Sequence, residues 1–361
     1  MLGNILLDKI KISFRLQGVS ADEAKHLEGH VKSVLGEHYA ENAYSVSINK
    51  RFTKLNFWFT PTRYFDDMNC YSQYTDTNLE TPPECKLKEL FNAILSDKIL
   101  AEALPESKIT VLDLTKNFIT LRKPYYYLMA VAGRHYQHGY KVLQQDCGYY
   151  SKTVTITHLM RNTCEIDSVG DDELKFYDKV RELLDKHVYK VTLKEALSSE
   201  DKKQFTPKNY NALTKTLLLD NLNILRLEWH FKSKKMYKIS RILKFENADK
   251  GLFLKDFIDL LNSGTLYNSL DEFYTVHTLK LLKSEPAQTS PLNIYSKVLS
   301  KYYPEVIALP LTGVFKENNL YKKYHKNLLK IQNAGNDVLV QEIIQKLEES
   351  RVTKPLQVVT V

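Results

Sequence analysis

The chain has 361 residues, 43% of them hydrophobic and 26% charged, a composition that excludes disorder as the main state and is long enough for two or three domains that each bury a core. Lysine and arginine outnumber aspartate and glutamate by 51 to 43, a net charge of +8 with a pI near 8.9, which favours an anionic partner, nucleic acid ahead of a membrane surface. Glycines number only 12, and neither a Gly-x-x-x-x-Gly-Lys-Ser/Thr nor a Gly-x-Gly-x-x-Gly run occurs, which argues against an ATPase or a Rossmann-type dehydrogenase.

At the start of the chain, residues 5–14 mix apolar side chains with Asp8, Lys9 and Lys11, unlike the apolar stretch of a signal peptide. No stretch reaches the roughly 18 apolar residues of a membrane span. Cys70, Cys85, Cys147 and Cys164 form no Cys-x-x-Cys pair and suit a reducing compartment. The expectation is a cytoplasmic protein without a membrane partner.

Hydrophobic periodicity divides the chain into two regimes. In the first, period-2 alternation predicts strands over 44–49, 54–60, 108–115, 153–158, 175–177 and 224–231, with helices over 21–35, 86–100, 125–136 and 179–187. This order predicts an α+β domain over 1–245, an antiparallel sheet with flanking helices. Beyond about residue 246 the spacing is helical, over 253–261, 270–282, 320–331 and 338–347, and predicts a helical accessory domain over 246–361. Residues 284–291 (SEPAQTSP) are the most linker-like stretch.

Four places carry candidate chemistry. In the strand containing Asp113, alternation sets Val111, Asp113 and Thr115 on one face; the acid is either an edge-strand carboxylate in water or a ligand. In the strand at 224–231, Arg226, Glu228 and His230 share a face, either exposed and polar or, with Asp113, a site for magnesium or manganese. Residues 174–183 read as a strand-to-helix junction, Asp178 being the N-cap, which groups Lys175, Tyr177 and Lys179. Residues 232–241 concentrate Lys232, Lys234, Lys235 and Lys238 with Tyr237, either a solvated face or a source of phosphate contacts. His135 and His138 form His-x-x-His without a nearby third ligand, and residues 320–330 (LYKKYHKNLLK) are a second basic, aromatic stretch.

Together these segments resemble the replication initiators of filamentous phages, the gene II and gene X proteins, and related rolling-circle plasmid initiators. The landmarks occur in the family's order: Thr60-Pro61-Thr62-Arg63 through Asn69; Val111-Leu112-Asp113-Leu114-Thr115; Tyr177-Asp178-Lys179 with Glu182-Leu183; and Arg226-Leu227-Glu228 leading into the basic segment. A weaker match runs from Tyr324 to Asp337. Asp67-Met68 stand where relatives have Gly-His, and Val111 where they have Arg.

The resemblance implies a permuted HUH-endonuclease-like fold that nicks the plus-strand origin of viral or plasmid DNA. Tyr177 is then the nucleophile, forming a 5′-phosphotyrosine adduct that is later rejoined without ATP. A phenol with an ordinary pKa of about 10 needs a neighbouring cation or base, a part assigned to Lys179 with Lys175. Asp113 and Glu228 are the implied ligands of Mg2+ or Mn2+, His230 being nominated as the third. Arg63, Lys175, Arg226 and the four lysines of the basic segment are candidate DNA contacts, Tyr149 or Tyr150 a candidate second acceptor, and a host helicase and polymerase candidate partners. The alternatives are a non-catalytic, sequence-specific DNA-binding regulator of replication or transcription, and a structural or interaction protein.

Overall fold

A computed structural model of the chain describes residues 5–38, 44–61, 83–132, 140–147, 150–158, 172–182, 223–283 and 338–350. Alternating side chains build one antiparallel sheet from β1 (Leu6–Arg15), β2 (Tyr44–Ile48), β3 (Lys54–Phe59), β4 (Lys108–Ile119), β5 (Tyr140–Cys147), β6 (Tyr150–His158), β7 (Asp172–Asp178) and β8 (Ile224–Lys232). Their spatial order is β2-β3-β1-β4-β8-β7-β6-β5, and the short β9 (Leu252–Phe253) also pairs with β4. Helices α1 (Ala21–His38), α2 (Pro83–Ile94), α3 (Lys98–Ala103), α4 (Pro124–Ala132), α5 (Met236–Ile242), α6 (Leu254–Asn262), α7 (Leu266–Leu282) and α8 (338–350) accompany it. A mixed fold with one antiparallel sheet and flanking helices is the α+β class expected from the alternation.

The apolar face is continuous. Ile10, Ile12 and Phe14 of β1, Leu112 and Leu114 of β4, and the Leu225, Leu227, Trp229 and Phe231 series of β8 are buried. A file of rings, Phe14, Phe57, Phe59, Phe91 and Phe257, with centroids 6.0 to 6.1 Å apart, joins β1 and β3 to α2 and α6. On β8, Trp229 Nε1 donates to Thr278 of α7 at 2.8 Å, and the Tyr274 hydroxyl donates to the Leu227 carbonyl at 2.9 Å. Lys116 also points to this side, where Asp271 lies 2.7 Å from its ammonium; burial lowers its pKa and Asp271 opposes that.

Local signals explain most element boundaries. Ser20 and Glu23 exchange hydrogen bonds at the start of α1, a capping box that fixes where the helix begins. The single helix expected over 86–100 is two, because the Asp97 carboxylate accepts from the amides of Ile99 and Leu100 and starts α3 anew. Three strands, β1, β5 and the two-residue β9, arise where no strand was expected. Segments 284–291 and 320–331, the pair His135 and His138, and the match at 324–337 lie outside the described residues. No helix among the described residues is long and apolar enough to cross a membrane.

Candidate active site

The opposite face of the sheet is polar, and its centre assembles the candidate residues. Register sets Asp113 of β4 across from His230 of β8, which faces Glu173 of β7; Thr115 faces Glu228, which faces Lys175; and Asn117 faces Arg226, which faces Tyr177. Residues paired across antiparallel strands share a face. Three strands distant in sequence therefore place Tyr177, Arg226, Glu228, His230 and Asp113 on one surface. Asp113 is 7% exposed on an interior strand, which removes the edge-strand alternative, and Arg226 at 0% exposure removes a purely solvated face for β8.

The Tyr177 hydroxyl donates to Glu228 Oε2 at 2.7 Å. Arg226 stands behind this pair, its Nε 3.8 Å from the same Glu228 oxygen and its guanidinium carbon 5.8 Å from the Tyr177 ring centroid. A second Arg226 nitrogen, Nη2, donates to Asp8 Oδ2 at 2.8 Å and to Thr115 Oγ1 at 3.3 Å. Asp8 reaches it because β1 slips register between Leu7 and Lys9, the strand irregularity that commonly re-aims a side chain. The β-strand at Tyr177 ends as expected: Asp178 accepts from the Arg181 amide at 3.0 Å, so Asp178 is the N-cap of the turn that follows.

Burial sets the protonation of these groups. It pushes the Tyr177 phenol well above its ordinary value, with Arg226 pulling the other way and Glu228 adding to the rise. Burial also raises the Glu228 carboxyl, as does Asp8, while Arg226 opposes both. Lys179 lies with its ammonium 6.0 Å from the Tyr177 ring centroid but is bonded to Glu182 at 2.6 Å, and burial and Arg226 lower its pKa. The side chain that touches the hydroxyl is thus Glu228, where Lys179 was expected to activate it.

The divalent-ion expectation meets a different arrangement. His230 Nδ1 is hydrogen-bonded to Asp113, and Glu228 is taken up by Tyr177 and Arg226. Among the described residues no group of three or more His, Cys, Asp and Glu side chains is placed to hold a metal. The Asp113, Glu228 and His230 set, as arranged, does not fit Mg2+ or Mn2+, because both carboxylates are engaged by neighbours.

The expected DNA contacts divide similarly. Arg226 is an interior cation paired with Asp8, since a buried guanidinium requires a carboxylate beside it. Lys175 and Lys232 both approach Glu173, each at 3.4 Å, and Lys238 is bonded to the buried Asp172. Lys235 is half-buried ahead of α5. Arg63, Tyr149 and the side chains of Lys234 and Tyr150 lie outside the described residues. Sequence reasoning missed Asp8, whose only signal is an acid inside an otherwise alternating run. It also missed Trp58, which alternates with Lys54 and Asn56. Compared with models of known protein families and with the curated proteins, the chain matches none.

Proposed function

We propose that the chain is a nicking-joining DNA endonuclease and strand transferase that initiates rolling-circle replication, with Tyr177 as its nucleophile. The observation that carries this reading is the Tyr177 hydroxyl donating to Glu228 beside Arg226, on a polar sheet face in a basic protein. A structural tyrosine needs only some acceptor; a nucleophilic one needs an acceptor able to take its proton. Glu228, raised by burial, is a stronger base than a solvated glutamate.

In this mechanism the phenol keeps its proton until attack, because burial disfavours a free phenolate. As the Tyr177 oxygen bonds to phosphorus, its proton passes to Glu228. The bond to the 3′-oxygen breaks, and that oxygen takes a proton from water. Arg226 steadies the negative charge that moves through this cluster. The product is a 5′-phosphotyrosine and a free 3′-hydroxyl, and the reverse sequence rejoins the strand. The sheet is then of the permuted HUH-like kind, β7 with the nucleophile preceding β8, and 246–361 is the accessory region. Origin DNA of a phage or plasmid is the substrate, with a host helicase and polymerase acting afterwards in the bacterial cytoplasm.

The test is a 3′-labelled pool of random single-stranded oligonucleotides incubated with the protein and run on a denaturing gel. Label should migrate with the protein, and Tyr177→Phe should abolish that band while retaining DNA affinity. A wild-type protein that binds DNA but acquires no label would instead be the non-catalytic regulator.

A further inference from the structure

The polar face continues from the Tyr177 cluster across β1, β3 and β2, and there its chemistry changes. Trp58 of β3 lies between Lys11 of β1 and Ser45 of β2, its cross-strand partners, while Phe57 and Phe59 point to the core. The indole is half-buried, and the Lys9 ammonium sits over it, 4.5 Å from the ring centroid. Trp58 stacks on no other aromatic ring among the described residues. Lys9 and Lys11 are half-buried and Lys54 is exposed; none of the three forms an ion pair among the described residues. β2 and β3 contain no acid, and the single acid of β1, Asp8, is committed to Arg226.

We propose that Trp58, with Lys9 and Lys11, is a stacking platform for single-stranded DNA, holding a base several nucleotides away from the phosphate attacked by Tyr177. The proposal rests on the DNA reading above and adds the surface that recognises the strand. A flat aromatic ring beside lysines that form no ion pair among the described residues, on strands β2 and β3 that carry no acid, matches a base flanked by phosphates. A duplex offers no base face, because its bases are already stacked; a single strand does. The Lys9 ammonium occupies the position over the ring that a base would take, and on displacement it remains within reach of a phosphate.

The placement is consistent with one continuous strand. Four strand spacings separate β3 from β7 through β1, β4 and β8, and three pleat rows separate the Trp58 row from the Tyr177 row. At about 4.8 Å per strand and about 6.7 Å per row this is roughly 28 Å on the diagonal. A single strand laid along that diagonal passes the row of Lys9, Asp113 and His230.

The chain has two tryptophans, and Trp229 is buried against α7, so DNA-dependent quenching of intrinsic fluorescence reports Trp58. Titration with oligo(dT) should quench the emission of the full chain, whereas a blunt duplex of equal length should not. Trp58→Phe should lose the quench, and Trp58→Ala should weaken oligo(dT) binding about tenfold. The double variant Lys9→Gln with Lys11→Gln, which leaves the ring in place, should reduce the slope of log affinity against log salt by about 1.4. Unchanged emission on saturation with oligo(dT), or Trp58→Ala binding like wild type, overturns the platform even if the covalent Tyr177 adduct forms. Quenching without any adduct keeps the platform and removes the nicking reading.

Discussion

The two halves of the polar sheet face carry similar residue types under opposite conditions. Around β4, β8 and β7 the titratable groups are matched: Arg226 with Asp8, Glu228 with Tyr177, His230 with Asp113, Lys175 and Lys232 with Glu173. Across β1 and β3, Lys9, Lys11 and Lys54 have no acidic partner among the described residues, Lys9 and Lys11 being partly exposed and Lys54 exposed. Burial makes the difference. Thr115, Asn117 and Arg226 are buried at the Tyr177 end, where an unpaired charge would lose its hydration without compensation, whereas a lysine in water needs no partner. The closed half can therefore hold a base against a phenol, and the open half can offer unspent positive charge to a ligand.

Removing the cation at the centre of the closed half should have the largest effect. Arg226→Met leaves Asp8 and Glu228 as largely buried carboxylates, each side chain 15% exposed, without their guanidinium, and folding stability measured by urea denaturation should fall by about 3–5 kcal/mol. A loss below about 1 kcal/mol would show that water reaches these acids and that the two halves do not differ in burial. Glu228→Gln comes next. The amide can still accept the Tyr177 hydroxyl hydrogen bond but cannot take the proton, so covalent adduct formation should drop about a hundredfold or more, with the fold and oligo(dT) affinity retained.

The pH dependence separates the halves without a mutation. Glu228 must be ionised to act as a base, and its folded pKa lies above the ordinary 4.5. Adduct formation should rise with pH through a midpoint above that of a free glutamate, while oligo(dT) binding, which does not draw on Glu228, should not follow that profile. The folded state also binds this proton more tightly than the unfolded chain does. The contribution of Glu228 to stability is thus greatest at low pH and declines as pH climbs from 4.5 through the raised value. Glu228→Gln should remove that decline; a decline that survives it would come from another group.

What the sequence revealed follows the same division. The strands β4 and β8 were legible because alternation is unbroken over Leu112 to Thr115 and over Leu225 to Phe231, and Asp178 marked the junction after Tyr177 because an N-cap is a local signal. The pairing of these strands, which brings Tyr177 to Glu228, is long-range and left no local trace. β1 was illegible as a strand because its alternation skips a residue at the Leu7–Lys9 slip, the same irregularity that delivers Asp8 to Arg226. The basic run after β8 suggested phosphate contacts, but Lys232 and Lys238 find Glu173 and Asp172 on the neighbouring strand, and a one-dimensional charge count cannot see across a sheet. Trp58 was hidden for the opposite reason: an aromatic in a strand usually packs inward, and only the register shows that Phe57 and Phe59 take that side.

The smallest expected effect is the sharpest control on the comparison. Lys11→Ala removes a partly exposed cation that has no carboxylate partner among the described residues, so its unfolding free energy should stay within about 0.5 kcal/mol of wild type. The same substitution should measurably weaken oligo(dT) binding at low salt, and the deficit should shrink as salt is added, since a phosphate contact is expressed through counterion release. A cation whose loss the fold does not register but the ligand does is held for binding. If instead Lys11→Ala destabilised the protein as Arg226→Met is expected to, the open half would be paired and buried like the closed one. Its charge would then belong to the fold.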